Sequence, residues 1–167
     1  MMKYLIDSNS FIAPHRGYAP IDVAVSLWNK IRYLADNGVI CSLDKVRQEL
    51  YANDDELKVW LMTNIKKDFF IPFESDETNG KLADILNWAI KHRVYSQKAK
   101  EKFMKMDKAD VFLASFVSVH PGEYKVVSFE HSNHFGSSEI KLPDVCSQFG
   151  AKCITLQNMF RELKETF

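Results

Sequence analysis

The sequence predicts an α/β protein of three layers, in which helices cover both faces of a central, mostly parallel sheet. Short apolar segments alternate along the chain with longer segments whose apolar residues recur at helical spacing. Strands that alternate with helices favour a parallel sheet. The length of 167 residues corresponds to about one domain, and no internal repeat or linker divides the chain. We therefore expect a single domain that spans residues 1–167.

The predicted strands are short and apolar, and they contain many β-branched or aromatic residues. They cover residues 3–6, 39–43, 124–129 and 151–156. The first strand is expected to be buried and to run into a polar turn at residues 7–10. The phenylalanine-rich segment 69–73 is expected to cross between two helices.

The predicted helices place apolar residues three or four positions apart. They cover about residues 21–35, 44–51, 54–67, 77–92, 107–119 and 157–165. Gly38 is expected to end the first helix, because glycine is common just after a helix C-terminus. The helix at 107–119 is apolar on nearly all sides, so we expect it to be buried.

Composition excludes several classes of protein. Lys plus Arg and Asp plus Glu are each 22, and the resulting net charge of zero argues against a protein that coats polyanions. The three cysteines form no C-x-x-C pair, so neither a disulfide framework nor a zinc ribbon is indicated. No secretory signal or membrane-length apolar segment is visible. We expect a cytoplasmic protein with no membrane partner.

Charge is unevenly distributed along the chain. Residues 54–84 carry eight acids and four lysines, whereas residues 91–108 carry seven bases and two acids. One interpretation is that both segments are solvated helix faces. The other is that the basic segment 91–108 forms a rim beside an acidic cleft, where it would meet phosphates.

Several acids lie where a parallel sheet binds ligands, which is outside the carboxyl ends of its strands. Asp7 follows the first strand, and Glu130 follows the strand at 124–129. Glu49 lies about two turns into the helix after the second strand. Asp107 and Asp110 are three positions apart at the start of the buried helix, so we expect them to share one face.

A cluster of carboxylates is chemically reasonable when divalent cations neutralise it, because unpaired buried charges are costly. Oxygen ligands suit Mg²⁺ or Mn²⁺ better than zinc, and such ions serve phosphodiester hydrolysis. Each acid also has a structural interpretation. Asp44, Asp54 and Asp107 could be helix caps, Glu49 a solvated surface residue, and Asp7 a turn aspartate.

A second candidate for metal binding is the pair His131 and His134, which lies beside Glu130. The alternative is a polar loop that carries two exposed histidines. No phosphate-binding P-loop and no dinucleotide-binding glycine motif occurs in the sequence, which argues against a nucleotide cradle.

Four segments occur in a characteristic order: YLIDSNSFI at 4–12, DKVRQEL at 44–50, DKADVFLAS at 107–115 and VVSFE at 126–130. Together they resemble the motifs of PIN-domain ribonucleases, which include the VapC-like toxins of toxin–antitoxin modules. The resemblance spans nearly the whole chain. The later segment KLPDVC at 141–146 is similar to an uncharacterised PIN-like subfamily.

The resemblance implies an endoribonuclease that depends on Mg²⁺ or Mn²⁺. The metal ligands and catalytic acids that it implies are Asp7, Glu49, Asp110 and Glu130. Asn9 or Ser8, together with Ser128, would support the site through hydrogen bonds, and Asp107 lies beside it. The implied partners are RNA, an antitoxin protein and a second copy of the chain.

Two departures from the family pattern bear on the fourth acid. Glu130 stands where the family more often has Asp, and a long polar insertion follows at 131–141. Asp144 is therefore an alternative fourth acid. Two other functions stay open: a non-catalytic PIN-like module that binds RNA or a protein, and a nuclease that acts on DNA.

Overall fold

A five-stranded sheet lies at the centre of the computed structural model, which describes residues 1–167. The strands are β1 (Lys3–Ile6), β2 (Ile40–Leu43), β3 (Phe70–Ile71), β4 (Tyr124–Val127) and β5 (Cys153–Ile154). Their order is β3-β2-β1-β4-β5, and every neighbouring pair is parallel. Strands β2 and β3 therefore lie on one side of β1, and β4 and β5 lie on the other side. The topological switch point is between β1 and β4.

Nine helices flank the sheet. They are α1 (Asn9–Arg16), α2 (Val25–Asp36), α3 (Asp44–Tyr51), α4 (Glu56–Asn64), α5 (Asp76–Lys91), α6 (Gln97–Met104), α7 (Asp110–Val119), α8 (Leu142–Gln148) and α9 (Leu156–Leu163). Forty buried apolar residues form one core cluster between the layers. The predicted three-layer α/β/α fold with a parallel sheet is confirmed. No helix combines the length and the hydropathy that crossing a membrane requires.

Helix α7 is buried, as its sequence predicts. Six of its ten residues are buried, and Ser115 is the only polar side chain among the six. The Ser115 hydroxyl donates to the carbonyl oxygen of Val111 at 2.6 Å, which satisfies its hydrogen-bonding group inside the core. Because α7 packs against α5, α8 and β4, its first residue is held firmly at one edge of the sheet.

The end of β1 is held against both neighbouring strands. The backbone N–H of Asp7 donates to Val127 in β4 at 2.9 Å, and the Ser10 hydroxyl donates to the same carbonyl oxygen at 3.0 Å. On the other side, the Ser42 hydroxyl of β2 donates to Ile6 at 2.6 Å. The residue that follows β1 is therefore fixed in position.

Four segments differ from the sequence prediction. Residues 9 and 10 begin α1 instead of continuing a polar turn, because Phe11 is buried and the chain turns directly into the helix. Residues 70 and 71 pair with β2 and so form β3. The short helices α6 and α8 were not predicted.

The structure also corrects the position of Asp107. Helix α7 begins at Asp110, so Asp107 precedes the helix and does not share a helix face with Asp110. Met106 adopts a left-handed conformation with a φ of 51°, which interrupts any helix just before this point. Asp107 is exposed.

Two predicted helix caps also differ. Asp55 caps α4 by accepting a hydrogen bond from the Lys58 backbone at 2.9 Å, whereas Asp54 lies 2.6 Å from the Lys58 ammonium group. Asp44 is the first residue of α3 and not its N-cap, and it accepts from the backbone N–H of Phe73 at 3.2 Å. Asp44 therefore ties α3 to the chain that follows β3.

A candidate carboxylate site at the switch point

Asp7 lies at the centre of the candidate site. It is fully buried directly after β1. The Ser128 hydroxyl, just beyond β4, donates to its Oδ2 at 3.0 Å, and the Ser8 hydroxyl lies 3.4 Å from its Oδ1. Burial raises the pKa of Asp7 to about 7, and repulsion from Glu49 and Glu130 acts in the same direction, whereas the Ser128 bond opposes it.

Asp110, the first residue of α7, belongs to the same cluster. Burial raises the pKa of its carboxyl well above the usual range, and the negative charges of Asp7 and Glu130 raise it further. Lys108 acts in the opposite direction. The four acids therefore form one cluster of mutually repelling charges.

Glu49 is held at the site from two sides. Its Oε1 accepts from the Ser8 hydroxyl at 2.9 Å, and its Oε2 accepts from the backbone N–H of Ala109 at 3.2 Å. These bonds link α3 to the end of β1 and to the residue before α7. Ser8 therefore makes the contacts that the resemblance assigned to Ser8 or Asn9, whereas Asn9 is the half-buried first residue of α1.

Glu130 acts electrostatically on Asp7 and Asp110, since its negative charge raises the pKa of both carboxyls. Its Oε2 accepts from the backbone N–H of Leu142 at 3.1 Å. Its own backbone N–H donates to the Ser128 hydroxyl at 3.1 Å, and this is the hydroxyl that bonds to Asp7. Glu130 is thereby connected to both β4 and the start of α8.

Asp144, the alternative fourth acid, has a different set of partners. It is buried, and its carboxylate accepts three hydrogen bonds from the loop that follows Glu130. The donors are the Ser132 hydroxyl, the Asn133 N–H at 3.4 Å and the Phe135 N–H at 3.2 Å. Asp144 therefore shapes the loop, and Glu130 is the acid that the structure brings to the cluster.

Two cavities border the cluster. A cleft of about 600 Å³ is lined by Glu49 and by three lysines, Lys45, Lys105 and Lys108. A smaller cavity of about 30 Å³ borders Asp110 on its other side. Asp107 lines both cavities, so the segment 105–109 forms the wall between them.

The donor chemistry of the cluster fits a hard divalent cation, because four carboxylates offer only oxygen atoms. No group of three His, Cys, Asp or Glu side chains is arranged so that it could hold a metal ion. Hydrogen bonds explain why no such group is formed, since Glu49 and Glu130 accept hydrogen bonds from donors of the protein. A bound ion would have to replace some of these bonds.

The histidine pair does not contribute to the cluster. His131 and His134 are both exposed in the loop before α8, which agrees with the interpretation as a polar loop.

The sequence contained a signal for the role of Ser8 at the site, because Ser8 directly follows Asp7. The backbone N–H of Ala109 carries no sequence signal, since any residue but proline supplies that group.

Comparison with known proteins gives the family of the chain. No match was found among curated proteins. A family described as a domain of unknown function, DUF4411, matches residues 4–167. The match includes all four acids of the candidate site and all but the first three residues of the chain. The chain therefore belongs to the DUF4411 family.

Proposed function

We propose that the protein is a nuclease that hydrolyses RNA phosphodiesters with the help of Mg²⁺ or Mn²⁺. The observation that supports this most is the convergence of four carboxylates at the topological switch point of a parallel sheet. Placing mutually repelling acids together, with Asp7 fully buried among them, is costly unless they serve a function. The cost is understandable if a cation and a phosphate share the site.

The resemblance to PIN-domain ribonucleases supports RNA as the substrate. Its four segments supply the same four acids that converge in space, although they lie far apart in sequence. The resemblance concerns short motifs, so the activity rests on the chemistry of the site as much as on the likeness.

The residues that would hold the ion are Asp7 and Asp110, with Glu49 and Glu130 at the edges of the cluster. When bound, the metal would orient the phosphate, activate a water and stabilise the leaving oxygen. The Ser128 hydroxyl donates to Oδ2 of Asp7 at 3.0 Å and helps to fix this carboxyl, whereas the Ser8 hydroxyl donates to Glu49.

The test is cleavage of labelled single-stranded RNA and DNA in Mg²⁺, in Mn²⁺ and in EDTA. We expect the wild-type protein to cut RNA only when the metal is present. Asp110→Asn removes a proposed ligand and should abolish cleavage, whereas the matched variant Asp107→Asn should keep it. Equal cleavage by wild type and Asp110→Asn would contradict the proposal, and preferential cleavage of DNA would replace the substrate class.

A non-catalytic RNA-binding module is the second candidate. The observation that favours it is that Glu49 and Glu130 already have protein partners and no ligand group is assembled. This function predicts saturable RNA binding in EDTA and no cleavage in either metal. The same assay therefore separates the two candidates.

A further inference from the structure

The walls of the cleft beside Glu49 carry more lysines than acids. Three lysines line it, from α3 and from the segment between α6 and α7. Lys45 lies 3.6 Å from Glu74 and 5.2 Å from the ring centre of Phe112, so its charge is partly engaged. Lys105 and Lys108 are exposed, and neither forms a salt bridge.

The backbone keeps Lys105 and Lys108 beside the carboxylates. The chain turns between them at Met106, whose φ of 51° is left-handed. One residue after Lys108, the N–H of Ala109 donates to Glu49 at 3.2 Å. The segment 105–109 is thereby attached to the acid cluster; its lysines form no salt bridge, and the charge of Lys108 also acts on Asp110.

The size of the cleft limits what it can hold. Its volume of about 600 Å³ lies in the range of small-ligand sites, roughly 300–1,000 Å³. Part of one nucleic acid strand fits this size class, whereas a duplex would have to lie outside it. Gln48 and Asn53 also line the cleft, and their amides can donate to or accept from sugar and base atoms.

A strand whose scissile phosphate lies at the carboxylates must continue away from them, with one negative charge on each nucleotide. The cleft shares Glu49 with the cluster, so it is a path that begins at the site. Lysine is well suited to such contacts because it binds phosphates as a point charge. Asp107 on the same wall opposes this attraction and lowers the expected affinity.

We propose that Lys105 and Lys108 bind the phosphates of a single RNA strand that continues from the carboxylate site through this cleft. The proposal rests on the proposed function, because it takes the carboxylates as the place of the scissile phosphate. It adds two lysines that position the RNA strand beside the carboxylates.

The experiment measures fluorescence anisotropy of a short labelled single-stranded RNA in Mg²⁺, over a range of salt concentrations. All variants carry Asp110→Asn, so that the RNA stays intact. Lys105→Gln/Lys108→Gln is compared with Lys91→Gln/Lys98→Gln. The control lysines are exposed, belong to the same basic segment 91–108 and do not line the cleft.

We expect the cleft pair to weaken binding and to reduce the slope of log K against log salt by about 0.7 for each phosphate that a lysine no longer neutralises. The control pair should keep the parent slope. Equal weakening by both pairs, or unchanged binding by the cleft pair, would overturn the proposal. Equal binding of duplex RNA or of polyglutamate by the parent would also overturn it, as would the absence of saturable RNA binding.

The proposed nuclease activity is tested separately, by measuring cleavage with proteins that keep Asp110. If wild type does not cleave RNA but the cleft pair still weakens binding selectively, the cleft proposal stands and the nuclease fails. If wild type cleaves and the cleft pair cleaves with the same KM, the nuclease stands and the cleft proposal fails.

Discussion

Asp7 combines full burial with two neighbouring negative charges, and both disfavour its ionised form. The fold compensates for part of this cost with the Ser128 hydroxyl and with a hydrogen bond from the backbone of Ser8. The remaining cost is expected at a site that binds a cation, since residues chosen for function often reduce stability. Variants at Asp7 should therefore separate stability from activity.

Replacing Asp7 by Asn should stabilise the metal-free protein at neutral pH. The amide has nearly the same shape but no charge, so the repulsion from Glu49 and Glu130 disappears. We expect an increase on the order of 1–3 kcal/mol in the free energy of unfolding, measured by urea denaturation in EDTA. Asp22→Asn, at an exposed position, is the control. A less stable Asp7→Asn protein would show that the carboxylate is a structural turn residue.

Ser8 is the residue that connects Asp7 to Glu49, so its hydroxyl should matter for activity. Ser8→Ala removes a hydrogen bond to a charged group, worth about 1.5–3 kcal/mol. If this bond orients Glu49 during the reaction, cleavage should fall roughly ten- to hundredfold, since about 1.4 kcal/mol corresponds to a factor of ten. The matched variant Asn9→Ala should cleave like wild type. Equal effects of the two changes would remove the distinction between Ser8 and Asn9.

The loop 131–141 and helix α8 together support one wall of the site. Asp144 holds the loop from inside, and Phe135 packs near Trp88 and His92, with ring centres 6.4 and 6.1 Å away. The start of α8 then returns to the cluster, where Leu142 donates to Glu130. The loop is thus a folded support for the fourth acid.

Asp144→Ala should loosen this support. Three donors of the loop then have no acceptor, so the free energy of unfolding should fall by about 2–4 kcal/mol, and amide exchange should accelerate in residues 131–137. Ser132→Ala removes only one of the three donors and should cost less. Unchanged exchange in Asp144→Ala would show that aromatic packing alone holds the loop.

The sequence predicted those elements whose apolar residues form a distinct segment. Strand β1, helix α7 and the placement of Asp7 and Asp110 at element ends came from apolar patterning alone. The two-residue strand β3 and the seven-residue helix α8 are too short to show a period. The position of Asp107 was wrong because the left-handed turn at Met106 depends on the surrounding structure, and no residue type there signals it.

Although the net charge of the protein is zero, it contains local ion pairs whose contribution to stability depends on pH. Glu139 lies 2.8 Å from Lys102 and 2.6 Å from Lys141. The hydrogen bond from Lys102, followed by that from Lys141, lowers the pKa of Glu139 to about 2. These contacts connect α6 to the start of α8.

Because the folded protein lowers this pKa, the ionised Glu139 stabilises the fold above the ordinary glutamate pKa of 4.5. That stabilisation should disappear as the pH falls from about 4.5 to about 2. Glu139→Gln should therefore be less stable than wild type at pH 7 and approach it in acid, as measured by thermal unfolding across the pH range. The control is Glu77→Gln, at an exposed position of α5. A difference that stays constant with pH would contradict this account.

The four carboxylates are proposed to form a site for a divalent cation, and calorimetric titration of Mn²⁺ into the metal-free protein measures that binding without depending on cleavage. We expect saturable binding to wild type, unchanged binding to Asp107→Asn, and binding to Asp110→Asn that is weaker by about tenfold or more, since removing one ligand carboxylate costs at least ~1.4 kcal/mol. The absence of binding to wild type, or equal binding to wild type and Asp110→Asn, would contradict the claim.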